Sequence, residues 1–115
     1  MPENLEREAE NLYNRLRPAQ EAKGYYFNPD KALVLSILSG LLTMKKKQGY
    51  MTCPCRLCSG NRDKDKDIMC PCVYREADVL EYGTCFCGLY VSKKIWEQKT
   101  PTLSIPERRP VEKML

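Results

Sequence analysis

The stretch CPCVYREADVLEYGTCFCGLY, residues 70–90, carries two Cys-x-Cys pairs with a helix-like segment between them. We predict a short helix from near Pro71 to Tyr82, closed by Gly83, because glycine readily takes the left-handed conformation that ends a helix. A further pair, CPC at residues 53–55, and the single Cys58 lie upstream in a loop-like segment. The pattern predicts cysteine-bearing loops packed beside short helices.

The cysteine content indicates metal or redox chemistry. The 115-residue chain has seven cysteines and no histidine, and an odd count without an export signal argues against a secreted, disulfide-stapled domain. Short Cys-x-Cys steps let neighbouring thiolates point at one centre, and four thiolates suffice for a zinc ion or an iron-sulfur cluster. The spacing alone does not decide between the two. A four-thiolate site leaves at least two paired cysteines over, and beside a redox cluster these could form a disulfide.

The N-terminal segment predicts a surface helix from Glu3 to about Lys23. Its apolar residues recur at spacings of three and four, which draws one buried stripe along a helix. Pro18 is expected to bend or end this helix, and Gly24 to stop it. The stripe consists of Leu5, Ala9, Leu12 and Leu16.

The next segment predicts the most buried helix of the protein. Asn28 is the predicted N-cap, with Pro29 at the first helical position and Asp30 in the first turn. Lys45–Lys47 fall in the last turn, where cations suit the negative end of the helix dipole, and Gly49 is the predicted C-cap. The apolar face is formed by Leu33, Val34, Ile37, Leu38, Leu41 and Leu42.

The remaining segments complete a mainly α fold. The alternating charges from Arg62 to Asp67 predict a solvated turn with no function of its own. SKKIWEQK, residues 92–99, predicts one more helical piece, and the three prolines of residues 100–115 oppose regular structure. We expect one small domain over residues 1–115, in which N-terminal helices (1–49) precede a cysteine region (50–90) and a tail (91–115).

Composition narrows the classes of function. The longest apolar region, ALVLSILSGLLTM at residues 32–44, is too short and too interrupted to span a bilayer. The N-terminus is charged from its third residue, unlike a signal peptide, and we expect a cytoplasmic protein. A formal charge of +4 is too small to indicate nucleic-acid binding but suits an acidic partner surface.

The cysteine pattern resembles the catalytic chain of ferredoxin:thioredoxin reductase, in the archaeal and bacterial branch of ferredoxin:disulfide reductase-like proteins. The matching motifs are CPC at 53, CPCVYRE at 70 and CFCGLY at 85, and SIPERRP at 104–110 is also similar. The resemblance covers most of residues 50–110. Beyond those residues, the predicted N-terminal helices agree with the helical fold of that family in outline.

The resemblance implies a [4Fe-4S] cluster next to a redox-active disulfide. Position by position, it implies that Cys55 and Cys87 form the disulfide and leaves Cys58 without a role. Ferredoxin would supply single electrons; after the first, Cys87 would be held at the cluster and Cys55 would attack the disulfide of a thioredoxin-like partner. The implied ligands of the cluster are Cys53, Cys70, Cys72 and Cys85.

One departure from the family pattern concerns proton transfer. Members of the plant and cyanobacterial type carry a histidine where this chain has Phe86, and phenylalanine cannot carry a proton. Water, Tyr74, Glu76 or Tyr82 are the conceivable replacements. Arg56, which follows Cys55, is a candidate for making that thiol's surroundings electropositive, although an ordinary solvated arginine is equally consistent with the sequence.

The resemblance also implies partners. Ferredoxins are typically acidic, so basic residues are candidates for a donor-facing surface, and a second subunit is not excluded. Two other functions fit the cysteines: a zinc-stabilised binding module and a simple iron-sulfur electron carrier. The candidate basic residues are Lys45–Lys47, Lys93, Lys94, Arg108 and Arg109.

Overall fold

Helices form most of the regular structure, as predicted. The computed structural model describes residues 3–53, 56, 58–99, 102 and 104–113. Two single-turn 3₁₀ segments, Lys66–Ile68 and Val111–Lys113, supplement the longer elements. These are α1 (Glu3–Ala22), β1 (Tyr26–Phe27), α2 (Lys31–Gln48), α3 (Arg75–Tyr82), β2 (Tyr90–Val91) and α4 (Lys93–Gln98).

Helices α1 and α2 pack against each other and supply much of the core. Ala9 and Leu12 of α1 are buried, as the apolar stripe predicted, and Leu38 and Leu41 of α2 are almost completely inaccessible. Helix α1 continues through Pro18 and ends at Ala22. Burial of the three leucines, about 1.5–3 kcal/mol each, is what holds the two helices together.

The start of α2 differs from the prediction. Asp30, not Asn28, is the N-cap, and its side chain accepts a hydrogen bond from the Leu33 N–H. Asn28 instead makes tertiary contacts: its Nδ2 donates to the Gly88 carbonyl at 2.9 Å and to Thr102 Oγ1 at 3.2 Å. The predicted C-cap is confirmed, since Gly49 has φ of 90° and its N–H donates to the Lys45 carbonyl.

A two-stranded sheet, which the sequence did not predict, connects the helices to the cysteine region. Strands β1 and β2 are antiparallel, with Tyr26 opposite Val91 and Phe27 opposite Tyr90. The Asn28 N–H donates to the Leu89 carbonyl at 3.0 Å and extends this pairing by one residue. The segment around the third Cys-x-Cys pair is thereby fixed to the end of α1 and the start of α2.

Helix α3 begins four residues later than predicted. It starts at Arg75 rather than near Pro71, because the residues from 70 to 74 form turns around the second Cys-x-Cys pair. Its end is confirmed: Gly83 has φ of 79° and donates to the Val79 carbonyl. A Cβ at this glycine would lie 2.4 Å from Cδ1 of Ile95 in α4, so any side chain here would force the end of the Ile95 side chain to move.

The charged run from Arg62 to Asp67 is not simply a solvated turn, which corrects the prediction. Asp65 is only 1% exposed and accepts hydrogen bonds from the Tyr50 hydroxyl and from Ser59 and Gly60. These bonds lower the pKa of Asp65 overall, although burial alone would raise it. The run therefore anchors the loop between the first two Cys-x-Cys pairs.

The C-terminal part follows the prediction. Helix α4 forms with Ser92 as N-cap, whose hydroxyl accepts a hydrogen bond from the Ile95 N–H. Among the described residues after 99, only the Val111–Lys113 turn is regular structure. In the described part of the chain, no helix is long and apolar enough to cross a membrane.

Candidate redox centre

Five cysteines meet around one cavity. They line this cavity together with prolyl and aromatic side chains. Cys53 and Cys85 are each only 4% exposed, whereas the other three are partly buried. The five are Cys53, Cys70, Cys72, Cys85 and Cys87, of which the first four are the predicted cluster ligands.

Backbone pairing brings the first two Cys-x-Cys segments side by side. The Cys53 N–H donates to the Ile68 carbonyl, and the Cys70 N–H donates to the Met51 carbonyl, both at 3.0 Å. A β-bridge between Thr52 and Met69 lies between these bonds. Two segments 17 residues apart in sequence, from Cys53 to Cys70, are thus held in register at the cavity.

The third pair sits in a tight turn. The Gly88 N–H donates to the Cys85 carbonyl at 3.0 Å, and Gly88 has φ of 79°, a conformation that glycine adopts without strain. Asn28 holds the Gly88 carbonyl from the other side. The turn places the Cys85 and Cys87 sulfurs 3.8 Å apart, so one predicted ligand touches one predicted redox cysteine.

The thiols of the cavity have different electrostatic surroundings. Burial raises the pKa of Cys70 and of Cys72, and for Cys72 a nearby arginine opposes that effect. The pKa of Cys85 is lowered instead, chiefly by its contact with Cys87 and also by the Tyr90 N–H, which donates to its sulfur at 3.2 Å. Thiolates in this cavity therefore depend on donors and cations in its walls.

Arg75 provides one such cation. It is 9% exposed and lines the cavity, with its guanidinium carbon 3.8 Å from the ring centre of Tyr25 and 4.8 Å from that of Tyr90. Its Nη1 donates to Oε1 of the buried Gln20 at 2.5 Å. No ion pair among the described residues includes Arg75. A buried cation without a carboxylate partner is costly, and thiolates in the cavity would offset that cost.

Arg56 is the second cation, and it is not the solvated arginine that the sequence also allowed. Its side chain is 2% exposed and pairs with Glu107 of the tail. Its Nη1 donates to the Cys72 sulfur at 3.3 Å. Cys55, the sequence neighbour whose thiol Arg56 was predicted to influence, lies outside the described residues, and so does that half of the predicted Cys55–Cys87 disulfide.

Several sequence-predicted residues lie away from the cavity. Cys58 donates to Oε1 of Gln48 at 3.5 Å, and neither Glu76 nor Tyr82 lines the cavity. The Tyr74 hydroxyl donates to Asp67 at 2.6 Å; burial and this bond raise the pKa of Tyr74 to about 12, which makes it a poor proton donor near neutral pH.

The two tail arginines are not part of a free basic surface, which corrects their assignment. Arg109 is 5% exposed and its Nε donates to Asp67 at 2.9 Å. Arg108 forms ion pairs with Asp78, at 2.7 Å, and with Glu81. Both arginines instead fix the tail to the cysteine region and to α3.

The side chains in the cavity wall that could bind a metal are all cysteines, yet the described side chains do not form a site for a single metal ion. No group of three or more His, Cys, Asp or Glu residues within the described ranges is arranged to hold a single metal ion. Sequence reasoning identified the cysteines but missed Arg75 and Glu107. The CPCVYRE and SIPERRP motifs contain both residues, but nothing in those motifs indicates their partners.

The chain is mainly helical and gathers five cysteines around one cavity. The chain belongs to the family of the ferredoxin thioredoxin reductase catalytic beta chain, whose model matches residues 2–109. That family consists of iron-sulfur reductases, and its name implies ferredoxin and thioredoxin as partners. A search of curated proteins gives no match.

Proposed function

We propose that this chain is an iron-sulfur disulfide reductase that takes single electrons from ferredoxin and reduces thioredoxin-like proteins. The observation that carries the proposal is the cavity in which the four predicted ligands meet Cys87 and Arg75, a cation with no carboxylate partner among the described residues. The [4Fe-4S] cluster would be held by Cys53, Cys70, Cys72 and Cys85, with Cys55 and Cys87 as the redox-active pair.

The donor set suits an iron-sulfur cluster. Iron-sulfur clusters are bound by cysteine thiolates, and their protein surroundings commonly supply N–H donors to the sulfurs. Here the Tyr90 N–H and the Arg56 guanidinium already donate to Cys85 and Cys72. When bound, the cluster would supply one-electron chemistry, which is needed because ferredoxin delivers one electron at a time and a disulfide requires two.

The proposed redox pair, Cys55 and Cys87, would carry out thiol-disulfide exchange. The Cys55 thiolate attacks one sulfur of the partner's disulfide and releases the other sulfur as a thiolate. The Cys87 thiolate then attacks the Cys55 sulfur, releases the second partner thiolate and restores the Cys55–Cys87 disulfide. Two electrons from ferredoxin reduce that disulfide again. Contact between the Cys87 and Cys85 sulfurs supports this role, since it joins the redox pair to the ligand set.

The experiment compares cysteine variants of anaerobically purified protein. Reduced ferredoxin, this protein and oxidised thioredoxin are combined, and the appearance of thioredoxin thiols is followed. Cys55→Ser and Cys87→Ser are expected to abolish thiol formation while iron and sulfide stay bound. Cys58→Ser is the matched control, because Cys58 contacts Gln48 rather than the cavity, and it should keep both activity and cluster.

Two other outcomes would contradict the proposal. Colourless protein with stoichiometric zinc and no sulfide would identify a zinc-stabilised binding module. Protein that binds the cluster and exchanges electrons, but whose electron transfer is independent of Cys55 and Cys87 and never yields thioredoxin thiols, would identify a simple electron carrier. Addition of a candidate second subunit to the same assay tests whether the catalytic chain acts alone.

A further inference from the structure

The guanidinium of Arg56 donates hydrogen bonds from its nitrogens and lies over two aromatic rings. Nε and Nη2 donate to the two carboxylate oxygens of Glu107 at 2.8 and 2.7 Å, and Nη1 donates to the Cys72 sulfur at 3.3 Å. Its carbon lies 4.5 Å from the ring centre of Phe86 and 5.2 Å from that of Tyr74. This geometry uses the planar fork of arginine, which a lysine cannot reproduce.

Glu107 is itself held by the tail. Its Oε1 also accepts a hydrogen bond from the Arg109 N–H at 2.9 Å, and the Arg109 side chain binds Asp67. Asp67 in turn accepts the Tyr74 hydroxyl, and the Tyr74 ring lies beside Arg56. The contacts close a ring of five residues, so the position of Arg56 relative to Cys72 is set by the C-terminal segment.

We propose that Arg56, held by Glu107, is a positioning residue that orients the Cys72 sulfur and raises the reduction potential of the group bound in the cavity. This inference rests on the proposed function. A hydrogen bond from a cation to a ligand sulfur stabilises the more negative, reduced form, so it raises the potential. The Glu107 carboxylate acts in the opposite sense, because its negative charge partly cancels that of Arg56.

The test measures the midpoint potential of the cluster in anaerobic redox titrations of the full-length protein. Arg56→Gln should lower the potential; a hydrogen bond to a charged group is strong enough to change the reduced-to-oxidised ratio about tenfold, which is ~59 mV for a one-electron couple. Glu107→Gln should raise the potential by a smaller amount, since the Glu107 side chain is 22% exposed and solvent screens its charge. Arg56→Lys keeps the charge but not the planar fork, and should recover only part of the loss.

The controls change the same charges at surface pairs away from the cavity. Arg17→Gln and Glu81→Gln act at the exposed ends of the Arg17–Glu21 and Arg108–Glu81 pairs, and neither should move the potential. Circular dichroism and iron and sulfide content accompany every titration. If Arg56→Gln does not fold, the comparison of Arg56→Lys with Glu107→Gln decides, since only the second should raise the potential.

Opposite shifts of the midpoint potential in Arg56→Gln and Glu107→Gln support the inference, because a merely structural role would move both potentials in one direction. Shifts of the same sign, shifts no larger than those of the surface controls, or loss of iron from folded variants would overturn it. Thioredoxin reduction by the wild-type protein separates the two proposals: active, cluster-bearing protein with same-sign shifts overturns only the role of Arg56. Wild-type protein that binds no iron and sulfide overturns both.

Discussion

The buried cation Arg75 gives a direct test of whether the cavity binds an anionic group. We expect Arg75→Met to destabilise the protein strongly when the proposed cluster is bound and little when it has been removed. Arg75 lines the cavity and lacks a carboxylate partner among the described residues, while its side chain stacks on Tyr25 and Tyr90. Methionine fills much of the same volume without the charge.

The magnitude follows from the contacts. Without the cluster, the substitution removes two cation–π contacts of about 1 kcal/mol each and a charged hydrogen bond to Gln20 worth about 2 kcal/mol. It also removes the cost of burying an unpaired cation, which is of order several kcal/mol, so the net change is close to zero. With the cluster bound, breaking the interaction between buried opposite charges costs a further ~3–5 kcal/mol.

The assay measures unfolding rates in urea with and without the cluster, followed by fluorescence of Trp96, the single tryptophan. Rates replace equilibrium constants because loss of a cluster makes unfolding irreversible. The variant should unfold up to roughly 10²- to 10³-fold faster than wild type in the cluster-bound form, and at nearly the wild-type rate in the other form.

The matched control is Arg108→Met. Arg108 pairs with the buried Asp78 and with Glu81 and does not line the cavity, so its loss should accelerate unfolding equally in both forms. An equal acceleration for Arg75→Met in both forms would refute the reasoning. That result would mean that the charge of Arg75 is not coupled to a bound anion.

Three further measurements test the fold and its ion pairs. In an equilibrium urea titration of protein without the cluster, Leu38→Ala should lower the free energy of unfolding by about 2–5 kcal/mol because it opens a cavity in the core. Leu80→Ala, at a residue 87% exposed, should lower it little. Ultraviolet titration should show Tyr74 ionising with a pKa of about 12. Asp67→Asn should bring that pKa down while leaving it above 10.0, because burial also raises it. Since the pKa is higher in the folded than in the unfolded state, the stabilisation from the Tyr74–Asp67 bond is complete below pH 10.0 and is lost as pH rises through about 12. Glu107 behaves in the opposite way: burial would raise its pKa, but its bonds to arginine and backbone lower the pKa below 4.5 overall. The stabilisation by Glu107 is therefore present above pH 4.5 and is lost as the pH falls through the lowered pKa. Glu107→Gln should thus make stability depend less on pH in the acid range.

The helices could largely be predicted because their signals are local. Apolar spacing predicted the buried faces of α1 and α2, except at Leu33, which is 37% exposed. The glycines at 49 and 83 ended α2 and α3 where predicted. The starts of α2 and α3 were wrong for one reason. Asn28 and the residues from 70 to 74 have their polar groups or backbone engaged by distant segments, and local capping rules contain no such information.

The cysteines of the site could be predicted from the sequence, but the charged residues around them could not. Cys-x-Cys spacing predicts convergence of sulfurs, because neighbouring residues can face one centre. Arg56 and Glu107 are 51 residues apart, and Arg75 and Gln20 are 55 apart. Pairings over such separations follow from the tertiary fold alone. The two-residue strands were missed because they are too short to show an alternating pattern.

The division between arginines and lysines follows from what each side chain can do when buried. Arg56, Arg75 and Arg109 are each less than a tenth exposed, and each uses the planar guanidinium for a bidentate bond or for stacking. The predicted donor-facing lysines are exposed, and their ion pairs, such as Lys46 with Glu8, are of the kind worth at most about 1 kcal/mol. An acidic partner could therefore displace the lysine pairs at small cost, whereas recruiting a buried arginine would require the tail or the cavity wall to open. The net charge of +4 thus overstates the charge that the cysteine region itself offers to a partner, and the lysines of α2 and α4 remain the candidates for a donor surface.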